Sequence, residues 1–200
     1  DDFGSRENFE KEIDRLISKA EEHKSYIEYI IKTLKREKKR ILKLMKKAGC
    51  VFINYGIESL DNEVLKNMNK KLTVDQIIKG VENTLEIGIS PGLNVIWGNI
   101  GDTKKTLQKN VDFLLKYNDY SQFRTIRPVT PYPGSPLYYY AIENGLLNGP
   151  KDFYENKHVN SDLLAVNFTN LSDKEFHRSL YEANKVLIED YYEQEKKKSI

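Results

Sequence analysis

The stretch Cys50-Val-Phe-Ile-Asn-Tyr-Gly-Ile-Glu-Ser-Leu-Asp-Asn-Glu-Val-Leu-Lys-Asn-Met68 decides the fold of this chain. Its first half, 51–57, is rich in β-branched and aromatic residues, which is typical of a buried strand. Glu58 and Ser59 follow as a polar pair, and Asp61 then opens a helical pattern. A carboxylate and a hydroxyl thus stand at a strand's carboxyl end, where ligands bind in folds of parallel strands. Alternatively, Glu58 caps the next helix or pairs with a surface cation.

Strands and helices alternate along the rest of the first 150 residues. Besides 51–57, strands are predicted at 26–34, 92–98 and 122–129, and residues 1–5 are typical of the tail of a strand. Helices fill the intervals, with N-caps predicted at Asp61, Thr73, Asp102 or Thr103, and Ser135, and C-caps at Gly49 and Gly88. This alternation requires parallel strands with helical crossovers and predicts an α/β fold.

The last fifty residues follow a different pattern. Residues 151–170 have few periodic apolar positions, so we expect a long loop with a short extended piece at 164–168. Ser172 is the predicted N-cap of a helix whose apolar face carries Phe176, Leu180, Ala183, Leu187 and Tyr191. The predicted organisation is a barrel domain over 1–150, with 151–200 as a loop and helix that pack on it.

Composition excludes several classes of protein. The 32 basic and 30 acidic side chains nearly cancel, so no overall field marks a nucleic-acid-binding protein. No apolar run reaches the roughly 20 residues that span a bilayer, and the acidic N-terminus is not a signal peptide. We therefore expect a cytoplasmic protein without membrane contact. Because the chain opens at Asp1 without an initiator methionine, we also expect it to be cut from a longer protein.

Cysteine and histidine are too sparse for a metal site. The single cysteine, Cys50, excludes a disulfide framework and any multi-cysteine metal site made by this chain alone. The three histidines, His23, His158 and His177, lie far apart and lack the spacing of metal ligands. No metal ligand is predicted.

Several other residues leave two interpretations open. Gly98 ends a strand, where a missing side chain lets a ligand lie against the backbone or simply permits a turn. Asp1 and Asp2 can bind an ammonium group or be an exposed chain end. In the strand at 122–129, alternation turns either Arg124 or Arg127 inward, where a buried guanidinium needs a carboxylate partner.

A basic ridge over 35–47 supports an alternative function. Eight of its thirteen residues are Lys or Arg. The ridge is either the solvated face of an amphipathic helix or the contact surface of a non-catalytic, RNA-directed binding module. A hydrolase of the α/β type is a third hypothesis, but it needs a nucleophile with a paired base, and no histidine is visibly positioned to pair with a nucleophile.

Four ordered segments resemble the radical S-adenosylmethionine (SAM) superfamily, in the branch whose members often carry an N-terminal cobalamin-binding domain. They are Asp-Asp-Phe at 1–3, Ala-Gly-Cys through Tyr-Gly-Ile-Glu-Ser to Lys-Lys-Leu-Thr at 48–73, Trp-Gly-Asn-Ile-Gly-Asp-Thr at 97–103, and Pro-Tyr-Pro-Gly-Ser-Pro-Leu-Tyr at 131–138. Ordered matches over roughly 140 residues are far more specific than any single motif. The resemblance implies a partial (β/α)6 barrel, of which this chain holds strands three to six and the end of strand two.

The resemblance also implies the chemistry. In this superfamily, SAM bound to a 4Fe-4S cluster is cleaved to methionine and a 5′-deoxyadenosyl radical, which abstracts hydrogen from a substrate. Carried over by position, Glu58 and Ser59 would bind the ribose hydroxyls and Asp2 would lie near the methionine ammonium group. Ile96 to Gly98 and the backbone around Val129 and Thr130 would line the adenine, with Arg127 on the substrate or carboxylate side.

The chain also departs from the family pattern. The CxxxCxxC loop that supplies the cluster ligands is absent from a sequence with one cysteine. Asn99-Ile100 replaces the commoner Leu-Pro, and Asp102 the commoner Glu. We therefore expect the cluster, and any cobalamin, to be bound by a missing N-terminal region, and the isolated segment to be inactive.

Overall fold

The computed structural model describes residues 39–198. Several predicted features lie outside the described residues: Asp2, His23, the strand predicted at 26–34 and the start of the basic ridge. The chain divides into two compact units after Cys50. In the first, residues 39–47 are helical, and the amides of Gly49 and Cys50 donate to the carbonyls of Lys46 and Met45. Gly49 has φ +93°, which confirms the predicted C-cap.

The second unit contains a three-stranded parallel sheet. Its strands are β1 (Phe52–Glu58), β2 (Ser90–Trp97) and β3 (Ile126–Pro128), in the order β1-β2-β3. Tyr55 pairs with Leu93, and Val95 pairs with Ile126. All three carboxyl ends therefore lie at one edge of the sheet, as expected for a partial (β/α) barrel.

The described residues of this unit form six helices, and five of these begin where the sequence predicts them. The six are α1 (Asn62–Asn67), α2 (Val74–Glu86), α3 (Lys104–Lys116), α4 (Pro136–Glu143), α5 (Pro150–Asp152) and α6 (Asp173–Lys198). The exception is α5, which lies at the start of the region predicted as a loop. Side chains of Asp61, Thr73, Thr103, Ser135 and Ser172 each accept a hydrogen bond from an amide of the first turn. Of the two N-caps predicted for α3, Thr103 is correct. The α/β fold is thereby confirmed.

The helices cover one face of the sheet. Ile57, Leu93, Val95, Trp97 and Ile126 on this face join one hydrophobic core with helical residues. Helix α6 contributes four of its five predicted apolar positions to this core, whereas Tyr191 contacts Phe123 instead. Phe176 stacks on Trp97 with ring centroids 4.5 Å apart. We call this the packed face and the opposite face, which carries Gly56, Asn94, Ile96 and Arg127, the open face.

Strand β3 is shorter than the 122–129 predicted. The buried Arg124 guanidinium donates to the carbonyls of Tyr117 and Pro91. Because these bonds hold Arg124 in place, the residues before Ile126 do not join the hydrogen-bonded pairing with β2. On the outer edge of β3, the Asn184 side chain accepts from the Ile126 amide and donates to the Ile126 carbonyl. A side chain of α6 thus takes the place of a neighbouring strand at this residue.

The region 151–170 is less extended than predicted. Helix α5 runs into a π-helical turn (Phe153–Lys157), and residues 164–168 form no strand. Phe153 anchors this turn in a second hydrophobic cluster with Tyr138, Leu147 and Val166.

The domain boundary at 150 and the cytoplasmic location stay predictions. Among the helices of residues 39–198, none has the length and apolar character needed to cross a membrane.

Candidate functional site

Glu58 is the last residue of β1, and its backbone is in the left-handed region with φ 69°. A bulge at this point shifts the register with β2 between Gly56 and Glu58. The Glu58 side chain folds back over Gly56, so that Oε1 lies 2.8 Å from where a Cβ on Gly56 would be. The carboxylate therefore lies on the open face, and any side chain at position 56 would displace it.

Lys70 holds this carboxylate in place. Its Nζ lies 3.1 Å from Glu58 Oε1, and both side chains are about two thirds to three quarters buried. Lys70 also lies 3.4 Å from the same missing Cβ of Gly56. Two charged side chains thus share the space above a glycine, at the carboxyl end of a strand, where a partly buried pair is held more firmly than a surface pair.

The neighbouring Ser59 faces the other way. Its side chain is 1% exposed, and its hydroxyl oxygen accepts from the Asp61 amide at 3.2 Å. Asp61 in turn caps α1 and pairs with Lys109 at 2.6 Å, whose hydrogen bond lowers the pKa of the Asp61 carboxyl. In this conformation the Ser59 hydroxyl organises the turn after Glu58, and its contact with a sugar stays a prediction.

Asn110 secures the same turn and was not singled out from the sequence. Its side-chain oxygen accepts from the Leu60 amide at 2.9 Å, and the residue is fully buried in α3. The signal was a polar residue among the apolar positions Leu107, Val111 and Leu114 of a predicted helix. A buried amide at such a position needs a partner, and here the partner is the turn after β1.

The loop after β2 is organised by Asp102. Its Oδ2 accepts from the amides of Gly98 and Asn99, both at 2.9 Å, and its Oδ1 accepts from the Thr106 hydroxyl. Burial raises the pKa of the Asp102 carboxyl, and these hydrogen bonds act in the opposite direction. The carboxylate thus fixes the shape of the loop, and the Gly98 amide is not free for a ligand.

Gly98 is required by packing. Its φ is +102°, and a Cβ there would lie 2.6 Å from the Phe176 ring of α6. The sequence left two interpretations of this glycine, space for a ligand and a turn. The structure adds a third reason for glycine here, which is the close approach of an aromatic ring. The predicted contact of Gly98 with adenine stays a prediction.

Ile96 and Thr130 lie near the same edge. Ile96 is half-buried on the open face, opposite Arg127 in register. The Val129 amide extends the β2–β3 pairing by donating to the Trp97 carbonyl at 2.9 Å, and Thr130 follows it. Within residues 39–198, the buried Thr130 hydroxyl has no hydrogen-bond partner. Glu58, Gly98 and Thr130 therefore lie at one edge of the sheet, with Ile96 just inside it.

One of the two arginines is buried and the other exposed, as predicted, although Arg124 precedes β3. Arg124 is buried and pairs with Asp119 at 2.6 Å, which confirms that an inward arginine takes a carboxylate partner. Arg127 lies on the open face, and its Nε is 2.9 Å from Asp162 Oδ1. The first arginine is structural, and the second is presented to solvent.

A cavity of about 390 Å³ runs along the open face. Glu58 lies at its rim, and its walls include Asn94, Ile96, Gln122, Thr125 and Arg127. The lining is mostly polar, with a carboxylate near one end and a guanidinium near the other. Such a concave site with a few convergent polar groups is typical of a ligand site.

The residues that the structure describes do not fit an iron–sulfur cluster. Cys50 is half-buried just before β1, and it is the single cysteine of the chain. Across residues 39–198, no group of three or more His, Cys, Asp or Glu side chains is placed to hold a metal ion. A 4Fe-4S cluster needs several thiolates together, so its ligands cannot come from this set.

Two curated methyltransferases are similar to this chain. An uncharacterised methyltransferase of Pyrococcus horikoshii is 36% identical over 109 residues, 54% of this chain and 23% of that protein. The bacteriochlorophyllide d C-12(1)-methyltransferase of Chlorobaculum tepidum is 28% identical over 125 residues, 61% of this chain and 26% of that protein. The matches span about a quarter of the length of these relatives.

Two further comparisons extend the similarity. An uncharacterised protein of Methanocaldococcus jannaschii is 29% identical over 96 residues, which is 42% of this chain and 18% of that protein. The family model of the radical SAM superfamily matches residues 1–114, more than half of the chain. This chain, with its parallel strands and its carboxylate at their shared edge, therefore belongs to the radical SAM superfamily.

Proposed function

We propose that this chain supplies the ribose and adenine side of the SAM site in a radical SAM enzyme. The observation that carries the proposal is the Glu58 carboxylate, which Lys70 fixes above Gly56 at the end of β1 and beside the open-face cavity. A carboxylate accepts hydrogen bonds from both hydroxyls of a sugar diol, and such charge-assisted bonds are stronger than neutral ones. Glu58 is therefore the proposed ribose ligand.

The adenine side rests on neighbouring residues. Ile96 offers apolar surface on the open face, and the Thr130 hydroxyl is a buried polar group for which residues 39–198 provide no partner. An unpaired buried hydroxyl costs stability, so a small shift of the loop after β3 that brings it to a ligand is favoured. We propose that Ile96, Thr130 and the Gly98 backbone contact the base, the Gly98 amide excepted because it donates to Asp102. We also propose that Ser59 positions Glu58.

We further propose that the cluster thiolates come from polypeptide outside these 200 residues. The proposal is supported by the cysteine count, since one thiolate cannot hold a 4Fe-4S cluster. It follows that this chain by itself does not cleave SAM. Asp2, which lies outside the described residues, stays the proposed contact of the ammonium group of SAM. Arg127 stays a proposed contact on the substrate or carboxylate side.

Methyl transfer is the proposed reaction class of the whole enzyme. It is supported by the names of two relatives, each of which is called a methyltransferase. This chain matches about a quarter of each of these relatives, so the methyl acceptor stays open. A cobalamin-binding domain stays a prediction from the sequence resemblance.

The test compares Glu58→Gln with Glu63→Gln in the cluster-bearing form of the protein. Glu63 lies five residues further on, is exposed, and belongs to α1. Loss of the charge at position 58 should weaken SAM binding about 10- to 100-fold, as expected for charge-assisted hydrogen bonds. Calorimetry measures the affinity, and 5′-deoxyadenosine formed under reducing conditions measures cleavage.

The control should bind and cleave SAM as the wild type does. If Glu58→Gln matches Glu63→Gln in both measurements, Glu58 is not a SAM ligand. The carboxylate would then be a cap or a partner of Lys70, as the alternative interpretation of the sequence holds.

A further inference from the structure

The open face of the sheet is unusually polar for parallel strands. Such strands are normally covered on both faces and apolar throughout. In β2 the side chain of Val95 is buried in the core, and that of its neighbour Asn94 is exposed. In β3 the side chain of Ile126 is buried, and that of its neighbour Arg127 is exposed. Core packing does not explain why position 127 is an arginine.

Arg127 contrasts with Arg124, three residues earlier. The Arg124 guanidinium is enclosed and donates to two carbonyls as well as to Asp119. The Arg127 side chain is 60% exposed, and its Nε pairs with Asp162, whose side chain is itself 69% exposed. An exposed pair of this kind adds little to stability. The planar fork of Arg127 has further donors directed at solvent and cavity.

Asp162 reaches Arg127 from the loop that follows the π-helical turn. In this loop the Asp162 amide donates to the side-chain oxygen of Asn160, and Ser161 shares a hydrogen bond with the Tyr132 hydroxyl. The loop 158–163 thus lies over the segment after β3 and places one carboxylate on the guanidinium. An acid group on a ligand would make the same contact.

We propose that the open-face cavity binds an anionic group of the substrate, a carboxylate or a phosphate, on Arg127, and that this group displaces Asp162. The inference rests on the proposed function and deepens it by naming the substrate class. Arg127 lies two strands from Glu58, a distance of about 10 Å at the usual strand spacing. The cavity therefore has room for a ligand at each end.

The charges of the cavity agree with an anionic ligand at the Arg127 end. Lys70 neutralises Glu58 at the opposite end. The cavity is lined beside Arg127 by the neutral hydrogen-bonding side chains of Gln122, Thr125 and Asn94. Arg124 also lines the cavity, but it is buried and paired with Asp119. Once Asp162 moves away, the Arg127 guanidinium is the exposed positive charge at this end, and Arg binds carboxylate and phosphate in a bidentate manner.

The experiment titrates the full chain with two probes, succinate and inorganic phosphate. Nitrogen-15 NMR of the arginine Nε–H groups reports binding at each arginine. In the wild type, one or both probes should shift the Arg127 resonance in a saturable way. Backbone amide shifts of residues 94–96 follow binding in every variant, including Arg127→Gln, which lacks the Arg127 signal. Arg127→Gln should weaken probe binding about tenfold or more. Asp162→Asn should strengthen it about threefold, because the competing carboxylate is gone.

Arg178→Gln is the matched control, because Arg178 is an exposed arginine of α6 outside this cavity. It should leave the affinity unchanged. Saturation by succinate alone assigns a carboxylate, and saturation by phosphate alone assigns a phosphate. The proposal is overturned if neither probe saturates Arg127, if Arg127→Gln and Arg178→Gln behave alike, or if Asp162→Asn does not strengthen binding.

Backbone spectra of each variant establish that it is folded before the titration is interpreted. The titration contains neither SAM nor a cluster. Its failure therefore leaves the role of Glu58 untouched, and failure of the Glu58 test leaves the anion site untouched.

Discussion

The two faces of the three-stranded sheet differ in polarity and in what they contact. The packed face is apolar and takes its partners from distant helices, of which Phe176 on Trp97 is the clearest case. The open face carries glycine, asparagine and arginine, with Glu58 at its rim. The same three strands thus pack against helices on one side, and on the other they carry the residues of the proposed ligand site.

Phe176→Ala tests the packed face and has the largest expected effect. The ring is fully buried, so its removal should cost about 3–5 kcal/mol of the free energy of unfolding through lost burial and a cavity. Asn94→Ala on the open face should change it by no more than about 0.5 kcal/mol. Urea unfolding followed by circular dichroism measures both, and similar losses in the two variants would remove the distinction between the faces.

Gly98→Ala probes the point where the packed face meets the candidate site. A methyl group there requires an unfavourable positive φ and would lie 2.6 Å from the Phe176 ring, so we expect a loss of about 1–3 kcal/mol. Gly80→Ala is the control: it lies in α2 with nothing within 4 Å of the new carbon and should gain up to about 1 kcal/mol. Equal unfolding midpoints for the two variants would contradict this account of Gly98.

Asp61→Asn should have the smallest effect and one that depends on pH. Asparagine still caps α1 but loses the ion pair with Lys109, so the wild type should be more stable by less than about 1 kcal/mol near neutral pH. The hydrogen bond from Lys109 holds the pKa of folded Asp61 below its ordinary value of 3.8. The advantage is therefore full above that value and disappears as the pH falls through the lower folded pKa.

Unfolding of the two proteins in urea at a series of pH values checks this sign. The difference between them should shrink as the pH is lowered below 4, in line with the ordinary pKa of 3.8. A difference that stays constant or grows on acidification would mean that Lys109 does not stabilise the charged form of Asp61.

Local chemistry made much of this predictable from the sequence. Asp61, Thr73, Thr103 and Ser135 cap helices because short polar side chains satisfy nearby amides, and that rule needs no knowledge of distant residues. The position of Glu58 at a shared strand edge followed from the alternation of strands and helices. Both features depend on neighbours in the chain.

Features that depend on distant partners were not predictable. Strand β3 is short because Arg124 binds the carbonyls of Tyr117 and Pro91, the latter 33 residues away. Its outer edge at Ile126 is occupied by Asn184, 58 residues away. Gly98 is a glycine because α6 brings Phe176 against it, and Ser59 is buried because the turn after β1 packs on Asn110 of α3. Sequence periodicity shows that a helix has an apolar face but does not show which residue that face will meet.

Hydrogen exchange of the cluster-bearing protein, with and without SAM, tests the central claim most directly. The account predicts slower exchange in peptides that contain residues 56–59, 96–99 and 129–131 when SAM binds, and no change in α3 or α6. Glu58→Gln should remove that protection at matched SAM concentration. Protection confined to the outer helices, or an unchanged strand edge with SAM bound, would contradict the assignment of the open face to cofactor binding.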